Sequence, residues 1–130
     1  MVSPIYAGIL ALFIVWLSLN VIKLRRANKV SLGDGGIPQL QYAIRAQGNA
    51  TEYTPITLIL LAILELSGAN YLLIHLGGVA ILLGRLIHAK GLLTENLRYR
   101  VLGMQVTIFT MIGLASANII YGLYKLFVQP

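Results

Sequence analysis

Charge is absent from Met1 through Ile22. A helix that crosses a bilayer needs about 20 mainly apolar residues, so this run predicts a first span over roughly 4–22. Basic residues (Lys23, Arg25, Arg26) follow the run rather than precede it, the reverse of a secretory leader's flanks. Leu32-Gly33-Asp34-Gly35-Gly36-Ile37-Pro38 then interrupts the chain with turn-forming residues. The uncharged stretch Tyr53–Leu64 is too short to cross alone. A second span must therefore reach over about 42–66, which draws Arg45, Asn49 and Glu52 into or near the membrane. A third span is expected over about 70–88 and a fourth over about 101–127, with the polar run Lys90–Arg100 between them. No stretch alternates with period two for long enough to suggest a β-barrel. The pattern predicts an all-α integral membrane protein, a four-helix up-and-down bundle forming one domain over residues 1–130.

Composition strengthens the membrane reading. The chain is 58% hydrophobic and only 11% charged, against roughly 25% charged in a soluble domain. It has no cysteine, which excludes a disulfide scaffold, a thiolate metal site and a cysteine nucleophile. Ten Lys and Arg against four Asp and Glu leave a net charge of +6. All the basic residues except Lys125 lie beside the two segments that join spans one to two and three to four. The positive-inside rule then puts both of those segments in the cytoplasm and both termini outside. Basic residues at helix ends beside a bilayer argue against nucleic acid as a partner.

Candidate chemistry gathers at that same end. Arg45, Asn49 and Glu52 are spaced i, i+4, i+7 and share one helix face. Either Glu52 pairs with an arginine and locks two helices, or the three side chains belong to a ligand site. Arg25 and Arg26 are either ordinary anchors or an anion clamp. Arg85 and His88, at i and i+3, are either interfacial residues or pocket residues. The two histidines, His75 and His88, lie too far apart along a helix to share an ion, so no metal site is expected. Arg98 and Arg100 point to opposite sides of a helix, and Arg100 shares its face with Gly103, Met104 and Thr107. Asp34 reads as a turn residue, Glu65 as a loop cap, and Gly77, Gly78, Gly84 and Gly103 as sites of close helix packing. In sum, arginines from all four helices are expected to converge with Asn49 and Glu52. Such a pocket suits a small ligand with several carboxylates and one ammonium group, beside an apolar wall open to a lipophilic second substrate.

At these residues the sequence resembles the MAPEG family, the membrane-associated proteins in eicosanoid and glutathione metabolism. Arg45-Ala46-Gln47-Gly48-Asn49-Ala50-Thr51-Glu52-Tyr53 is similar to the second-helix signature Arg-x-x-x-Asn-x-x-Glu-Tyr of leukotriene C4 synthase and microsomal glutathione transferases. Arg25-Arg26 and Gly84-Arg85-x-x-His88 fit the same pattern. The resemblance is nearest in character to small bacterial inner-membrane members of the family, and implies a homotrimer in that membrane with glutathione, as cosubstrate, bound between neighbouring subunits. It implies glutathione contacts from Arg25, Arg45, Gln47, Asn49, Glu52, Tyr53, Arg85 and His88, and help from Arg26 near the second substrate. A thiolate-stabilising arginine opens the fourth helix in this family; here Arg100 is the first candidate and Arg98 the reserve. Leu92 departs from the pattern, since several eukaryotic members carry tyrosine there, and Tyr99 is a candidate replacement. The implied activity is conjugation of lipophilic electrophiles to glutathione, or reduction of hydroperoxides. A free thiol has a pKa of about 8.5, and nearby arginine lowers it. A small four-helix exporter and a non-catalytic lipid-binding protein stay open as alternatives.

Overall fold

A computed structural model describes residues 1–129 and contains four helices: α1 (Ser3–Asn28), α2 (Pro38–Leu66), α3 (Tyr71–Leu93) and α4 (Leu97–Val128). No strand occurs among the described residues. The helix boundaries follow from local chemistry. Proline sits in the first turn of α1 and of α2, where its missing N–H breaks no helical bond. Asn70 and Asn96 open α3 and α4, their side-chain oxygens accepting from the N–H of Leu72 at 2.8 Å and of Tyr99 at 3.3 Å. Lys29 ends α1 in the left-handed conformation at φ 55°. In the turn that follows, the Asp34 carboxylate accepts the Gly36 N–H at 2.8 Å, as a turn residue should.

α2 packs against all three other helices, and α3 and α4 form the most extensive interface. α1 touches α2 and α3 but not α4. Contact between α3 and α4 is close because glycine removes side chains where the backbones meet. A Cβ on Gly91 would lie 2.2 Å from the Arg100 nitrogen, and one on Gly103 would lie 2.3 Å from the His88 nitrogen. In a bilayer, lipid tails are as apolar as the helices, so this close van der Waals packing carries the association.

The interior divides into two clusters. Near the N-terminus of α1, large aliphatic side chains (Leu10, Leu61, Leu64, Ile74, Ile81, Leu114) pack with Tyr6. Toward the arginine-bearing end the buried set is small and alanine-rich: Leu17, Ala46, Ala50, Ala89 and Leu92. Leucine, isoleucine and phenylalanine stay exposed along the outer faces, among them Leu12, Ile59, Leu76, Phe109 and Ile120, which is what a lipid-facing surface needs.

Three helices, α1, α3 and α4, are long and apolar enough to cross a membrane. α2 is long enough, at 29 residues, but Arg45, Asn49 and Glu52 lower its hydropathy. It buries Asn49, Thr54 and Thr57 against its neighbours. A helix shielded on several sides can carry polar groups that a lipid-facing one cannot.

Candidate functional site

Arg85 organises the arginine-bearing end. It is 1% exposed, the largest side chain fully enclosed by the bundle. Its Nε and one terminal nitrogen donate to Thr107 Oγ1 of α4, at 3.1 and 2.7 Å. The other terminal nitrogen donates to Asn49 of α2, to Oδ1 and, at 3.4 Å, to the backbone oxygen. The Tyr53 ring lies 5.5 Å from the guanidinium carbon. No carboxylate pairs with it: the one ion pair among the described residues is Arg45–Glu52. A buried cation is costly unless hydrogen-bonded or neutralised. Here uncharged oxygens and a π face stabilise it, and its charge stays uncompensated within the protomer.

Arg85 also orients Asn49. An arginine can only donate, so the amide atom facing it is Oδ1, and the Asn49 NH2 is turned away with its donors available. Asn49 borders a cavity of about 680 Å³, together with His88, Arg100, Met104, Gln105 and Phe109. One end is polar, with Asn49, His88, Arg100 and Gln105. The rest is apolar, with Val101, Ile108 and Phe109. Arg100 is exposed and borders a second, smaller cavity with Tyr42 and Glu95.

The shared face of Arg45, Asn49 and Glu52 is divided by the packing. Asn49 is 8% exposed, whereas the Arg45 and Glu52 side chains are 54% and 56% exposed. Arg45 and Glu52 pair with each other at 3.7 Å. Glu52 is therefore bridged within α2 and does not lock two helices. Gln47 is half-buried and reaches Thr51 Oγ1 at 3.4 Å on its own helix.

The convergence expected of arginines from all four helices is incomplete in one protomer. Arg85 and Arg100 lie with Asn49, His88 and Tyr53. Arg25 and Arg26 line a separate groove with Lys29 and Val30 at the end of α1, a helix that does not reach α4. Arg25 donates to the Ser31 backbone oxygen at 3.2 Å. Arg98 is exposed in the first turn of α4 and borders none of these cavities.

Several roles escaped the sequence pattern. Thr107 is placed there only on the Arg100 face; its oxygen proves to be a twin acceptor for Arg85. Gln105 and Phe109 line the cavity without any local signal. Glu65 caps a helix start rather than a loop: its carboxylate accepts the N–H of Val2 and of Ser3, the latter at 2.9 Å. His75 shares a hydrogen bond of 2.8 Å between its Nδ1 and the Tyr6 hydroxyl.

The family model described as the MAPEG family matches residues 3–120. The chain is 40% identical over 121 residues to "Inner membrane protein YecN" of Escherichia coli K12, a match covering 93% of this chain and 92% of that protein. YecN of Escherichia coli O6:H1 matches with the same identity and coverage.

Proposed function

Because this chain belongs to the MAPEG family and is thus a membrane protein of the glutathione and eicosanoid metabolism group, we propose that it is a glutathione-dependent transferase or peroxidase acting on lipophilic electrophiles in a bacterial inner membrane. The observation that carries this reading is the buried, uncompensated Arg85 beside a cavity that is polar at one end and apolar along the rest. A positive potential in a low-dielectric setting favours an anion, and a thiolate is the anion that a cysteine-free chain must borrow from its cosubstrate.

In this reading Arg100 faces the thiol and favours its ionised form, with Arg98 as reserve. Asn49 donates through its NH2 beside His88, with Tyr53 next to them against Arg85. Gln47, two residues from Asn49 and so on the opposite side of α2, would serve a neighbour's cavity. Arg45 and Glu52, already side by side on an exposed face, supply a cation for a ligand carboxylate and an anion for its ammonium group. Arg85 acts through Asn49 and through its charge, since its donors are engaged inside the bundle. The apolar wall along Val101, Ile108 and Phe109 holds the electrophile. The thiolate sulfur forms the new bond to the electrophilic carbon as the leaving group departs with the displaced electron pair, a step that needs mainly positioning and desolvation. A homotrimer gives Arg25 and Arg26 a place in this scheme: α1 does not reach α4 in its own protomer, so these arginines would serve a neighbour's cavity.

The exporter alternative loses support because Glu52 is paired and exposed, whereas a proton-coupled carrier favours an isolated carboxylate near the midplane. The test uses purified protein with glutathione and a chromogenic electrophile, alongside Arg100→Ala and Glu52→Ala. Turnover above the solution rate that falls in both variants is expected. Wild type no faster than solution, with no thermal stabilisation by glutathione, would sink the reading.

A further inference from the structure

A groove between α1 and α3 shares no lining residue with the Asn49–Arg100 cavity, although Tyr42 and Glu95 of its polar part also border the smaller cavity beside Arg100. Its apolar part, about 310 Å³, is walled by Phe13, Leu86 and Ala89. Its polar part, about 430 Å³, is walled by Asn20, Gln39, Tyr42 and Glu95. Trp16 and Leu93 line both parts, so the groove is continuous. Along α3 the wall of the apolar part runs from Leu86 to Leu93. At about 1.5 Å per residue that is about 10 Å, roughly two-thirds of one leaflet of a hydrocarbon core about 30 Å thick. The apolar part therefore takes the headgroup-proximal part of a lipid tail, and the groove ends in polar groups at the arginine-bearing end of the bundle.

Glu95 gives that end its specificity. Of the chain's four acidic residues, Asp34 accepts from Gly36, Glu52 pairs with Arg45 and Glu65 caps α1. Among the described residues, only the Glu95 carboxylate has no hydrogen-bond or ion-pair partner. Its backbone is left-handed at φ 54°, just past the end of α3, a position that glycine ordinarily fills. The glutamate sits there against its conformational preference, and although Arg100 borders the neighbouring cavity no cation among the described residues pairs with it, so its carboxylate is free to take a cation from outside. The cation's setting is aromatic, since Trp16 and Tyr42 line the same part, and aromatic faces attract ammonium groups. Lys90, which borders the apolar part near the same end, has its ammonium 5.1 Å from the centre of the Tyr99 ring and no carboxylate partner among the described residues, and adds a site for an anion.

We infer that this groove holds one membrane phospholipid with an amine headgroup. The acyl chain lies along Phe13, Leu86 and Ala89, the phosphate faces Lys90, and the ammonium meets Glu95 between Trp16 and Tyr42. A purely anionic headgroup would satisfy Lys90 but leave Glu95 facing like charge.

The readout is lipid retention and does not depend on the thiol chemistry. Its test incubates the detergent-purified full chain with vesicles of equal parts phosphatidylethanolamine and phosphatidylglycerol, then weighs the retained lipid by native mass spectrometry. Wild type is expected to retain phosphatidylethanolamine over phosphatidylglycerol by about threefold, the scale of one partly exposed ion pair. Glu95→Gln should remove the preference. Glu95→Gly should remove it as well, while holding or raising the melting temperature, because glycine suits the left-handed site. A wild type without preference, or a preference that persists in both variants, overturns the assignment.

Discussion

The two ends of the bundle are both polar, yet they use polarity in opposite ways. At the end where α1 begins, groups meet in closed sets. Glu65 takes the N–H groups of Val2 and Ser3 and the Ser3 hydroxyl, and Tyr6 takes His75. Large aliphatic side chains fill the space around them. At the other end the packing is alanine-rich, cavities open between helices, and a buried arginine has no counter-ion. Polar groups that satisfy one another stabilise a fold. Polar groups aimed into a cavity with charge left over are arranged for something that arrives later.

Substitutions can break or sharpen that contrast. The largest expected effect is on turnover. Arg100→Ala should lower glutathione-dependent turnover by about 100-fold or more, the scale of losing one charge-stabilising group. Its melting temperature should barely move, because Arg100 is exposed; a large fall in stability would place Arg100 in the structural class instead. Gly103→Leu comes next. Its side chain would collide with the His88 backbone, and overpacking of this kind costs about 1–3 kcal/mol, readable as a loss of thermal stability. Glu65→Gln should cost about 1 kcal/mol through the weakened cap on α1 and leave turnover unchanged. Turnover that falls with it would mean that the two ends are coupled. The smallest structural effect belongs to Glu52→Gln. An exposed ion pair contributes about 0.2–1 kcal/mol, so its melting temperature should stay close to wild type while glutathione affinity weakens. Unchanged affinity would assign the Arg45–Glu52 pair to the surface alone.

The helices, the membrane reading and the polar end were legible along the chain because each depends on local order. An uncharged run long enough to cross, a Gly-rich break and a proline in the first turn act within a few residues of themselves. The nine-residue stretch from Arg45 to Tyr53 also carried the family resemblance. Neighbour identity was not legible. With 3.6 residues per turn, Asn49 and Glu52 lie only about 60° apart around α2. Periodicity therefore groups them, and only the approach of α3 turns Asn49 inward and leaves Glu52 outside. Arg85 reads in sequence as an interfacial cation beside His88. Burial at 1% exposure and donation to Thr107, remote in sequence, come from glycine-permitted contact between α3 and α4.

Sequence alone determined that this chain is a four-helix membrane protein with its basic residues concentrated at one end, because hydropathy and charge act locally and add along the chain. Tertiary structure decided which of those charges are already satisfied. Arg45 and Glu52 neutralise each other, Arg25 and Arg26 lie beyond the reach of α4, and Arg85 and Glu95 are left without an opposite charge. That outcome depends on which helix packs beside which, and no spacing within one helix contains it.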